Sequence, residues 1–143
     1  MLDALLAPTT VPLLEQSAAF GERRHEVLVG NVANVDTPHY RRRDLPVAEF
    51  QAALGKAIDA RSEQGQRLAR YAEPDRDPAE WFAESLRDVR TAARTNPTFQ
   101  DGAERSIEAD VLSLTKNLMR QSMTVELMAA QLSLLGAVIA EQP

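Results

Sequence analysis

The sequence contains no cysteine, which excludes disulfide frameworks, thiol nucleophiles and thiolate-ligated zinc. Aromatic residues are scarce. Four Phe, two Tyr and one Trp make up 5% of the 143 residues, so a core must be built from Leu, Val, Ala, Ile and Met, which fill helix–helix seams. An all-β sandwich is disfavoured. The two histidines, His25 and His39, lack His-x-x-x-His or Glu-x-x-His spacing, so no metal site is expected. His25 reads as a partly buried packing residue and His39 as part of a turn. No Gly-x-Ser-x-Gly elbow frames a nucleophile, and the six scattered glycines build no phosphate loop. Nothing points to an enzyme, a cofactor or a small-molecule substrate. An overall basic excess is also missing: 21 acidic residues against 16 basic ones leave a net charge of -5, the wrong sign for a chain that wraps nucleic acid over its whole surface. The longest apolar run, Leu132 to Ala140, falls far short of the roughly 20 residues that span a bilayer. The first residues have no basic region and meet Pro8 early, so no secretory signal peptide is read there.

What is present is helical periodicity. Alternating steps of three and four connect Val111, Leu114, Leu118, Gln121, Val125, Met128, Leu132, Leu135 and Ile139, and only Gln121 among them is polar. A helix entry is read at Ser106-Ile107-Glu108-Ala109, with Glu108 and Asp110 placed where the helix dipole favours acids. A weaker heptad runs through Val11, Leu14, Ala18, Gly21, His25, Leu28, Val32 and Val35, from about Pro12 to about Asn34, since Pro38 forbids continuation. Two narrow apolar stripes are buried most economically against each other or against equivalent helices of neighbouring copies. The expected fold is therefore all-α dominated: long N- and C-terminal helices packed as an antiparallel coiled-coil-like pair, with an irregular, partly flexible middle segment.

In that middle, Phe50, Leu54 and Ile58 predict a short helix from Val47 to Ile58 after Pro46. Residues 59–78 are charged and thin in apolar side chains, and read as a solvated loop. Residues 78–93 fit either a short helix or a segment extended near Val89. Arg41-Arg42-Arg43 is the sharpest charge feature. Without interleaved aromatics it reads as a solvated turn balanced by Asp36, Asp44 and Glu49 rather than as a phosphate-binding patch.

One segment carries more information than its periodicity. In Gly30-Asn31-Val32-Ala33-Asn34-Val35-Asp36-Thr37-Pro38-His39-Tyr40-Arg41, the residues Asn31, Ala33, Asn34, Thr37, Pro38 and Tyr40 fall where flagellar rod, hook and hook-associated proteins carry Asn-Ile-Ala-Asn-x-x-Thr-Pro-Gly-Tyr. With Asp36 and the following Arg-Arg-Arg-Asp-Leu, the sequence resembles the proximal-rod, or FlgB, family of flagellar basal-body rod proteins. The chain departs from the pattern at His39, where the family usually has Gly. If that position needs a positive φ, His39 must either tolerate a left-handed backbone at a cost of about 1 kcal/mol or change the turn. The two amides, three residues apart at a helix end, are suited to bonding free carbonyls or a neighbouring backbone, and Tyr40 offers a flat face and a hydroxyl to anchor the turn.

The resemblance implies one discontinuous unit: an N-terminal rod helix over 11–36, a turn and variable middle over 37–105, and a C-terminal rod helix over 106–140. It further implies a non-enzymatic structural subunit of the bacterial flagellum basal body that polymerises into the torque-transmitting shaft. Implied partners are copies of itself, other rod and basal-body proteins, and the type III export apparatus, which would deliver it to the periplasmic rod without a cleaved signal peptide. No nucleic acid and no membrane span are expected. Two readings from other classes remain: a soluble helical adaptor that binds one partner helix without polymerising, and a nucleic-acid-binding protein using Arg41, Arg42 and Arg43.

Overall fold

The computed structural model describes residues 9–68, 87–92 and 107–140. In chain order these form α1 (Val11–Ala33), β1 (Arg43–Asp44), α2 (Val47–Leu68), β2 (Arg90–Thr91) and α3 (Ile107–Ala140). The chain is helix-dominated, and its N- and C-terminal helices pack against each other. α1 opens with Pro12 in its first turn, where a missing N–H costs nothing, and with Thr10 O accepting from the amides of Leu13 and Leu14 at 3.2 and 3.1 Å. It ends at Asn34, four residues before Pro38.

α1 packs against both α2 and α3. Toward α2 it presents Leu13 and Phe20. The Phe20 and Phe50 rings stack with centroids 3.9 Å apart and an interplanar angle of 13°. Leu45 and Ala57 complete this small core, with Val47, Ala53, Leu54 and Val89 packed against it. β1 and β2 form a short antiparallel ribbon, Arg43 opposite Thr91 and Asp44 opposite Arg90, which brings Val89 to the core. The segment near Val89 is thus extended, and the rest of residues 78–93, apart from 87–92, lies outside the described residues.

Toward α3, the α1 heptad behaves as its spacing predicts. Val11, Gly21 and Leu28 are buried, while Leu14, Ala18, His25, Val32 and Val35 are half-buried. The helices run antiparallel: Gly21 of α1 meets Asn117 and Gln121 of α3, while Leu13, Leu14 and Ser17 share a cavity with Leu127 and Gln131.

Two elements differ from the sequence reading. α2 does not stop at Ile58 but continues to Leu68, so residues 59–68 are helix rather than loop. Its extension is rich in residues of good helix propensity (Ala60, Arg61, Glu63, Gln64, Gln66, Arg67), and no proline occurs until Pro74. Residues 69–78 lie outside the described residues. The second difference concerns which face of α3 turns inward. Its buried residues are Asp110 and Asn117, flanked by half-buried Leu114, Gln121, Thr124, Met128, Gln131 and Leu135. Of the expected seam, Val111, Leu118, Val125, Leu132 and Ile139 stay 44–65% exposed. The apolar stripe is thus rotated partly out of the intramolecular contact, because α1 and the chain after it supply hydrogen-bond partners for the polar stripe beside it. By length and composition alone, α3 also reaches what a bilayer crossing needs. A count of uninterrupted apolar residues misses this, since polar Gln121, Thr124 and Gln131 are dispersed among apolar ones.

Gly21 sits where α1 and α3 approach, yet a Cβ added there meets only the Gln121 side chain, at 3.7 Å, an ordinary van der Waals distance. Gly21→Ala should therefore raise stability by up to about 1 kcal/mol through helix propensity. Phe50→Ala should cost about 3 to 5 kcal/mol by emptying the α1–α2 core. Denaturant titrations followed by helical circular dichroism check both. A destabilised Gly21→Ala would mean that the helices approach more closely than described.

Candidate functional site

The motif segment folds as a turn locked onto α1 by side-chain amides. Asn31, 2% exposed, donates from Nδ2 to the carbonyl of Arg43 at 2.7 Å. Its Oδ1 accepts from the Arg43 N–H at 3.0 Å and from the Tyr40 hydroxyl at 3.1 Å. One carboxamide thus pairs with both backbone groups of a strand residue, as a neighbouring strand would. Two turns earlier on the same face, the Arg24 guanidinium forks onto both oxygens of Asp44 at 2.8 Å each. Asp44 Oδ1 also accepts from the Leu45 amide at 2.8 Å. Consecutive residues of β1 are therefore clamped to α1 at two heights.

Within the turn, Asn34 donates from Nδ2 to the Gly30 carbonyl at 2.8 Å, satisfying a helix-end acceptor. Thr37 returns to Asn34 through its amide to the backbone carbonyl at 3.0 Å and its hydroxyl to Oδ1 at 3.3 Å. Ala33, Asp36, Thr37 and Pro38 are exposed. His39 has φ 60°, the left-handed geometry that glycine adopts without strain. The Arg43 guanidinium lies over the Tyr40 ring, 5.8 Å from its centroid.

The arginine run divides its labour. Arg42 reaches across to α3, where Nε donates to Asp110 Oδ1 at 2.7 Å and a second guanidinium nitrogen contacts the same oxygen. Asp110 is 1% exposed and lies in the first turn of α3, so helix dipole and guanidinium both favour its charge. Two of the three carboxylates expected to balance the run locally are engaged elsewhere: Asp44 with Arg24, and Glu49 with Arg90, which also bonds Asp88. Hydrogen bonds that the Arg90 guanidinium donates to Glu49, then to Asp88, raise its pKa above its ordinary value. Arg41 and Arg43 keep exposed side chains.

The second part of the site is α3. Buried Asn117 donates from Nδ2 to the Gly21 carbonyl at 2.8 Å. Gln121 lies half-buried over the same glycine. Leu114, Met128 and Leu135 are half-buried at the margin of the α1 contact, whereas Val111, Leu118, Val125, Leu132 and Ile139 form an exposed apolar ridge. Sequence reasoning overlooked Asn117 and Arg24, and took Asp110 only as a first-turn acid and Asp44 only as a counter-charge to the arginine run. A signal existed for Asp110 and Asn117: with Thr124 and Gln131 they recur every seven residues, a polar stripe as regular as the apolar one beside it. The pairing of Arg24 with Asp44 carries no local pattern. Among the described residues no three His, Asp or Glu side chains gather as a metal site would require. The His25 Nδ1 atom is buried without a hydrogen-bond partner there.

No family model matches the chain. A protein of Aquifex aeolicus (strain VF5), named flagellar basal body rod protein FlgB, is 54% identical to it over 35 residues. That stretch covers 24% of this chain and 28% of the Aquifex protein. The chain is thus similar to a named rod protein over about a quarter of each.

Asn31→Ala strips both Arg43 backbone groups of their partner and should cost about 2 to 4 kcal/mol. His39→Gly relieves the left-handed backbone, offset by a freer unfolded chain, and should raise stability by up to about 1 kcal/mol. Thermal and denaturant unfolding of the two variants check this. A His39→Gly chain weakened by 1 kcal/mol or more would show that the imidazole makes a stabilising contact.

Proposed function

We propose that this chain is a non-enzymatic structural subunit of the bacterial flagellar basal-body rod, which polymerises through its terminal helices into the drive shaft. The observation that carries the reading is the exposed apolar ridge of α3. Five branched apolar side chains at seven-residue spacing, all more than two-fifths exposed, line one face of a helix, the pattern by which helices pack on partner helices. The clamped turn gives that helix a firm base, as a torque-bearing subunit requires. The match to a protein named as a rod component supports the same reading. Partners would be copies of the chain, other rod and basal-body proteins, and the flagellar type III apparatus that exports it to the periplasmic rod. A helical adaptor would also carry an exposed ridge, but would take one partner helix and remain unpolymerised.

A strain lacking the gene should make no rod and no external filament, with the defect visible in electron micrographs of basal bodies. The chain itself should appear in purified basal bodies only when the flagellar export apparatus is intact. Val125→Glu, at an exposed position, should leave monomer stability within about 0.5 kcal/mol yet remove the chain from basal bodies and abolish swimming. Filaments in the deletion strain, or a chain retained in the cytosol of swimming cells, would contradict the proposal and favour the adaptor.

A further inference from the structure

No further inference is drawn: the strongest candidate, the cationic surface patch at the tip of the motif turn where His39, Arg41 and Arg43 are exposed, carries nothing because nothing in the structure shows what covers it.

Discussion

The hydrogen bond from Asn117 to the Gly21 carbonyl sets where the two long helices meet. A carboxamide that is 2% exposed must find a partner or lose about 1 to 3 kcal/mol, and the Gly21 carbonyl is the partner that Asn117 finds on α1. Sliding α3 by one turn would bury the amide against side chains and break its bond, so one polar contact selects one register. Asp110 enforces the same register seven residues away, through its pairing with Arg42. Removing one partner from so buried a pair costs about 3 to 5 kcal/mol, which makes the pair a strong penalty on alternative alignments even if its net contribution to stability is small.

Arg42 connects this register to the turn. It belongs to the segment that Asn31 and Arg24 clamp onto α1, so the position of Asp110, and with it the start of α3, is referred back to the end of α1 through β1. The Phe20–Phe50 stack holds α2 against α1. Polar contacts thus decide alignment, while apolar burial is concentrated in a small α1–α2 core. The consequence is an α3 whose apolar ridge is left over. A helix held to its own chain by hydrogen bonds and an ion pair can leave that ridge exposed.

Much of this arrangement is legible in the sequence, and the exceptions have physical causes. The α1 heptad, its proline start and its stop before Pro38 are local effects, and the structure places them within a residue or two of the reading. That His39 stands where the pattern has Gly was readable, but not whether it would take a positive φ or change the turn, and the structure gives it φ 60°. α3 was legible as a helix but not in its orientation. A heptad shows which face seeks a partner helix, not whether that partner is in the same chain, and the hydrogen bond of Asn117 to the Gly21 carbonyl turns the polar stripe rather than Leu118 toward α1. The extension of α2 past Ile58 was hidden by charge, which resembles a loop in composition yet does not oppose helix. The Arg24–Asp44 and Arg42–Asp110 pairs span 20 and 68 residues, so no local pattern announces them.

The central claim is that α3 packs on its own chain through its polar stripe, and two adjacent residues test it. Asn117→Ala and Leu118→Ala are compared by denaturant unfolding at a concentration where the chain is monomeric. The account predicts that removing the amide costs about 1 to 3 kcal/mol and removing the exposed leucine side chain less than about 1, reversing the usual order for a helix seam. A loss of about 2 to 5 kcal/mol for Leu118→Ala, as for a buried leucine, beside a neutral Asn117→Ala, would show that the apolar stripe faces inward and contradict the account.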